Sequence, residues 1–208
     1  MASRKNQFPK LKCSTYKNIR RRIKNGDILL CSGNAAFSKM IQKATNSIWS
    51  HVAFVMWLEK VDRLMVLESV EPIGIRTVPL SSYLKDYNGS GKGYNGGVAI
   101  LRHDDFEKSA NEKALKQFGQ FAVEHFSYPY DKDQLAKIAL RIMMGHLPFS
   151  KKEKEDLKRD KEYICSEYVW ECYKHIGIDV PYDDLGFISP ANFFAAPKMK
   201  IKYVLKDK

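Results

Sequence analysis

The chain has 208 residues, 44% of them hydrophobic. That is the size and composition of one globular domain able to bury roughly 70% of its unfolded surface without staples. A formal net charge of +11 favours anionic partners without choosing among nucleic acid, lipid surface and acidic ligand. Cysteines 13, 31, 165 and 172 form no CxxC pair and match no zinc spacing. A disulfide framework and a zinc module are therefore excluded, and reduced thiols fit a cytoplasmic protein. No run approaches 18 apolar residues and the basic N-terminus has no apolar h-region, so neither a transmembrane helix nor a signal peptide is expected.

Residues 1–24 read as a basic N-terminal extension or opening helix, with Lys17, Arg20, Arg21, Arg22 and Lys24 as its charge cluster. Residues 25–208 read as one domain. Asn25-Gly26 is a turn, and residues 27–31 (DILLC) form a short apolar strand. Gly33-Asn34 breaks it, and Asn34 is placed to cap a helix whose apolar face is Phe37, Met40, Ile41 and Ala44. Residues 50–58 predict a strand with His51, Ala53, Val55 and Trp57 on one face and Val52, Phe54, Met56 and Leu58 on the other. Both faces are largely apolar, as in a strand covered on both sides. A polar turn leads to a second strand at 64–70. Pro72, Gly74 and Pro79 punctuate the next stretch, and residues 87–97, rich in Gly and Asn, read as a surface loop.

Residues 97–102 (GVAILR) predict another strand, and 105–126 a helix with Leu115, Phe118, Ala122 and Phe126 as its buried stripe. Pro129 stops that helix. Asp131 caps a further helix to about Met144, and the charged stretch 151–161 is a linker or an exposed helix. A helix opens at Cys165 and ends near Gly177. Ser189-Pro190-Ala191-Asn192 starts a short helix, and 201–205 form a closing strand. The sum is an α+β fold, a small, mostly antiparallel sheet packed with three or four helices.

Cys165 stands in the first turn of its helix, where the positive end of the dipole favours a thiolate. Cys172, seven residues on and two turns in, reads as a small core residue. A thiolate needs a base and a group to orient that base. His51 is the candidate base because a strand would hold its ring rigidly. His103, His125, His146 and His175 fall in loops or near helix ends. Glu68 interrupts the apolar run of the next strand. A hairpin between the two strands sets it within about a residue or two of His51. There it can accept the Nδ1 proton, whereas its rival Glu71 adjoins Pro72 beyond the strand. Tyr163, two residues before Cys165, is a candidate oxyanion donor together with the Cys165 backbone N–H.

The order and placement of these segments resemble the papain-fold enzymes related to the NlpC peptidases, in their circularly permuted YiiX and YaeF branch. Gly26-Asp27-Ile28-Leu29-Leu30, Ser50-His51-Val52-Ala53, Leu67-Glu68-Ser69 and Tyr163-Ile164-Cys165-Ser166-Glu167 carry the likeness. Tyr130-Asp131 and Ser189-Pro190-Ala191 are weaker echoes. Histidine before cysteine is the specific feature, since unpermuted relatives have the cysteine first. The resemblance spans roughly 25–195. It implies a circularly permuted papain-like (NlpC-type) catalytic domain with Cys165 as nucleophile, His51 as base, Glu68 as third member and Tyr163 near the oxyanion, and no metal or organic cofactor.

The expected activity is that of a cysteine peptidase or amidase acting through a thioester on a small peptide, amino-acid amide or acyl substrate. The alternative is a lipid-directed acyl hydrolase or acyltransferase, making weak contact with an anionic membrane through the basic surface and Trp49. Trp49 is also the candidate substrate-binding residue. Lecithin retinol acyltransferase relatives share the permuted order, but usually carry a second histidine where this chain has Glu68. A non-catalytic nucleic-acid-binding protein is the remote reading. No zinc pattern, RNP-like motif or helix-turn-helix supports it, and no nucleic-acid partner is expected.

Overall fold

Seven strands form one sheet, and the sequence pattern explains why it is covered on both faces. The computed structural model describes residues 13–109, 111–133, 163–181 and 187–205. The strands are β1 (Cys13–Ser14), β2 (Ile28–Gly33), β3 (His51–Leu58), β4 (Arg63–Val70), β5 (Gly74–Pro79), β6 (Gly96–His103) and β7 (Met199–Leu205). Their order is β1-β7-β6-β2-β3-β4-β5. Every neighbouring pair is antiparallel except β1 with β7.

Alternation along the central strands feeds two separate cores. Ile28, Leu30, Val52, Phe54 and Leu67 face one side and Leu29, Cys31, Ala53, Val55 and Val66 the other. The first side is covered by Phe118 and Ala122 of α5 (Glu112–Glu124) and by Tyr168, Val169 and Cys172 of α6 (Cys165–His175). The second is covered by Leu80, Tyr83 and Leu84 of α3 (Leu80–Lys85) and by Ile19 and Ile23. The remaining helices are α1 (Tyr16–Ile19), α2 (Ala36–Ala44), α4 (Asp104–Ser109) and α7 (Pro190–Ala195).

Four local readings are revised. The described part of the basic segment, residues 13–24, does not stand apart: β1 joins the sheet, Ile19 and Ile23 are buried, and Arg20 and Arg21 pair with Asp62 and lie over the Trp57 ring. Asn34 does not cap α2. It bonds Asn95 across the sheet end, and Ala35 holds the cap position without a side-chain bond. The 105–126 helix is two helices, because Asn111 caps α5 by accepting the Ala114 N–H at 2.8 Å. The punctuated stretch after Pro72 contains β5 and α3. β5 is the edge strand, where a terminal Pro79 leaves no ladder bond missing. Gly74 (φ +91°) is required there, since a Cβ would lie 2.1 Å from the Tyr128 carbonyl oxygen.

The expected helix at 131–144 and the charged stretch 151–161 lie almost wholly outside the described residues. Among the described residues no helix is long and apolar enough to cross a membrane.

Candidate active site

Two strands and one helix bring the candidate residues together. Cys165 is the first residue of α6, behind Ile164 in extended conformation, and is almost fully buried. The start of α6 is held in place from both sides. The Ser69 hydroxyl on β4 donates to the Tyr163 carbonyl at 2.6 Å, and the Ser166 hydroxyl donates to the Ile188 carbonyl at 2.8 Å. Ser69 adjoins Glu68, so the strand that carries the carboxylate also fixes the approach to the thiol.

His51 opens β3, opposite Cys31 of β2. The β3–β4 register pairs Phe54 with Leu67. Continued to the strand end, it sets Glu68 diagonal to His51, within reach of a long side chain. The bond forms: His51 Nε2 meets Glu68 Oε2 at 2.8 Å. This corrects the atom expected from the sequence. The ring gives Nε2, not Nδ1, to the carboxylate. The charge of Cys165 acts on the same ring, and with Nε2 taken by Glu68 the nitrogen available to the sulfur is Nδ1.

Glu68 is completely buried, and it is not held by His51 alone. Arg76, directly opposite on β5, donates Nε and a terminal N–H to Glu68 Oε1 at 2.9 and 2.7 Å. Both donors share the one carboxylate oxygen, a charge-assisted contact that leaves Oε2 to His51. The Arg76 guanidinium also lies 5.7 Å from the centre of the Tyr87 ring. Arg76 was invisible to the sequence reading because it sits on the strand that reading missed. A second hairpin register drawn through the Pro72–Gly74 turn would have found it.

The electrostatics follow from this chain of contacts. Burial alone would push the His51 pKa down, but the negative charges of Cys165 and Glu68 outweigh it and raise it to about 10. Burial would raise the Glu68 carboxyl, yet His51 and Arg76 hold it below its ordinary value. These contacts favour the imidazolium form of the ring, which stands between a carboxylate and the sulfur. Cys172 and Cys31 are the opposite case: burial pushes both thiols up, as inert core residues require.

Tyr163 and Trp49 are not where the sequence reading set them. The Tyr163 ring packs among Tyr128, His125 and Tyr168, and its charged neighbours are on the Glu167, Glu171 and Cys172 flank of α6. Its contribution near the nucleophile is its backbone, anchored by Ser69. The phenol bordering Cys165 belongs to Tyr130. Burial and the nearby Cys165 charge raise its pKa, so it stays a donor. Trp49 is 0% exposed and packs against Phe194 of α7 at 5.3 Å between ring centres. It is a residue of the core cluster that α7 closes over, and it presents nothing to a membrane.

A pocket opens at Cys165 between α2, Tyr130 and residues 187–190. Among the described residues, no cluster of three or more His, Cys, Asp or Glu side chains could hold a metal ion.

Comparison with known proteins agrees with this geometry. The crystal structure of metalloprotein yiiX from Escherichia coli O157:H7 superposes with a TM-score of 0.58 at 19% identity, covering 89% of this chain and 98% of that one. At that identity the likeness shows the fold. No curated protein matches. A family model, that of the permuted papain-like amidase enzymes, YaeF/YiiX, C92 family, matches residues 22–186. The match takes in the histidine strand, the carboxylate strand and the cysteine helix in that order, and so the chain belongs to the family of permuted papain-like amidases.

Proposed function

We propose that the protein is a cysteine hydrolase that cleaves an amide or peptide bond of a small substrate through a thioester on Cys165. The observation that carries this is the line Arg76–Glu68–His51, in which each side chain is held by the one before it and whose last ring feels the charge of Cys165.

In this reading the Cys165 sulfur attacks the substrate carbonyl carbon, and the C–S bond forms as the carbonyl π pair moves to oxygen. The Cys165 N–H, free at the first turn of α6, and the Tyr130 phenol stabilise that oxyanion. Collapse of the intermediate breaks the C–N bond, and His51 Nδ1 gives its proton to the departing amine. Water then attacks the thioester, His51 takes and keeps its proton, and the C–S bond breaks with the electron pair leaving on sulfur, which releases the acid and restores the starting pair. Glu68 holds the ring in the orientation that keeps Nδ1 on the sulfur, and Arg76 holds Glu68. Tyr163 serves through its backbone.

The test is turnover of amino-acid p-nitroanilides by the wild type, Cys165→Ser and His51→Ala. Activity in the wild type with loss of about 10³-fold or more in both variants supports the reading. Equal turnover in all three refutes it. A second reading, an acyl hydrolase or acyltransferase that meets lipid, rests on the apolar lining of the pocket beside Cys165. Release of acyl product only when anionic vesicles are present would select it.

A further inference from the structure

The pocket at Cys165 says what kind of group the sulfur receives. α2 forms one wall with Met40, Ile41 and Ala44, and Phe187, Ile188 and Pro190 form another. Among the described residues, no Asp, Glu, Lys, Arg or His side chain lines it. Apart from the Tyr130 phenol beside the sulfur, its hydroxyl-bearing residues are already engaged: Thr45 donates to the Ile41 carbonyl at 2.9 Å, Ser166 to the Ile188 carbonyl at 2.8 Å, and Ser189 to Asn192 Oδ1 at 2.6 Å. A charged acyl group entering here would lose its hydration and meet no oppositely charged Lys, Arg, Asp or Glu side chain among the described lining residues.

α2 supplies the second, independent observation. Its apolar residues share one face, yet none of its nine residues is buried, and Met40 is 39% exposed. α5 is equally amphipathic and closes its stripe on the core through Phe118 and Ala122. The α2 face is left open at the one place where the nucleophile meets it. An occupant that covers this face gains from every methylene it brings.

Resting on the assignment of Cys165 as nucleophile, we propose that the group transferred to it is an uncharged apolar acyl group, seated between α2 and residues 187–190. Two sources offer that chemistry: a fatty acyl chain and an apolar residue of a peptide. With an activated ester the step is balanced within the pair of reactants. The Sγ–C bond forms, the C–O bond breaks, the alkoxide or phenolate leaves with the electron pair, and water later cleaves the thioester.

The test compares p-nitrophenyl acetate, butyrate, hexanoate, octanoate and the charged succinate half-ester on the full chain, with mass spectrometry of Cys165. Each buried methylene is worth up to about fourfold in kcat/KM, so hexanoate should exceed acetate by about tenfold or more, and succinate should be the poorest. Ala44→Trp, which fills the pocket, and Ile41→Asp, which charges its wall, should each bring the hexanoate-to-acetate ratio towards one. That ratio is internal to each preparation and does not depend on how much of a variant folds. A steady rise through octanoate assigns a fatty acyl chain. A plateau, with leucyl and phenylalanyl p-nitroanilides cleaved faster than alanyl and aspartyl ones, assigns an apolar residue. Acylation of Cys165 without preference for length, or with preference for succinate, overturns the proposal while leaving the nucleophile intact. No acylation of Cys165 by any ester overturns the nucleophile and the proposal together.

Discussion

Replacing Glu68 by Gln removes one negative charge from a completely buried position and leaves Arg76 and the His51 ring facing a neutral amide. Breaking one side of a buried pair leaves an uncompensated charge, a cost of about 3–5 kcal/mol. Gln keeps the shape and part of the hydrogen bonding, so about 3 kcal/mol is the expected loss at pH 7, a fall of about 6–12 °C in Tm for a chain of this size. The effect on His51 is separable. Its rise from 6.5 to about 10 amounts to roughly 5 kcal/mol in favour of the imidazolium, supplied jointly by Cys165 and Glu68. Without Glu68 the opposing effect of burial gains ground, and the ring deprotonates at lower pH.

The two groups have opposite signs in the pH dependence of stability. The His51 contribution is complete below its unfolded value of about 6.5 and is lost as pH rises through about 10. The Glu68 contribution is complete above about 4.3 and is lost as pH falls through its depressed folded value. Wild type should therefore be most stable between roughly pH 4.3 and 6.5, with the His51 contribution falling away from about 6.5 to about 10, and Glu68→Gln should flatten both shoulders. Urea unfolding from pH 4 to 11 measures this, and a pH profile of kcat follows the His51 proton. The expected result is an alkaline limb near 10 in wild type that moves acidward in the variant, with kcat down by up to about 10⁴-fold. An unmoved limb with less than about threefold loss of kcat would refute the chain of contacts as the source of the imidazolium.

Arg76→Ala should lower kcat by about 10–100-fold and move the same limb acidward, with Arg76→Lys recovering part of both, as expected of a residue that acts through Glu68. Tyr130→Phe should cost about 10²-fold in kcat with little change in KM, whereas Tyr163→Phe should cost less than about threefold; the reverse ranking would return the oxyanion role to Tyr163. Iodoacetamide at pH 7, followed site by site, should modify Cys165 at least about tenfold faster than Cys31 and Cys172, whose thiols burial pushes up; equal slow labelling of all three contradicts an activated Cys165. Asp27→Asn strips the partner from the buried Arg102, which Asp27 holds at 2.6 and 2.7 Å, and should cost about 3 kcal/mol in urea unfolding without moving the kcat pH profile.

The grouping of His51, Glu68 and Cys165 was legible because each sits where a one-dimensional pattern carries three-dimensional meaning. His51 lies in a period-two strand, Glu68 within the register of a short hairpin, and Cys165 at a helix start. Strands 50–58 and 64–70 and the α6 helix were read within a residue or two of their ends for the same reason. What failed depends on contacts across the chain. Arg76 needed a second hairpin whose Pro and Gly read only as punctuation. The split of 105–126 turned on the Asn111 cap, inside an apolar period that runs on either side of it. Trp49 looked exposed because α7, which buries it, lies more than 140 residues away. The direction of the Tyr163 ring is set by Tyr128 and His125, which no local pattern places beside it. The choice of Nε2 over Nδ1 depends on how the His51 ring is turned, which strand register does not specify.

The central claim is that Cys165 carries the acyl group, and a quenched-turnover mass measurement addresses it directly. Full-length protein is mixed with p-nitrophenyl hexanoate, acid-quenched within the first turnovers and digested, and each cysteine peptide is weighed. The account predicts a hexanoyl adduct on the Cys165 peptide that decays with the rate of product release and is absent in Cys165→Ser. An adduct on another residue, or steady turnover in Cys165→Ser at the wild-type rate, would contradict it.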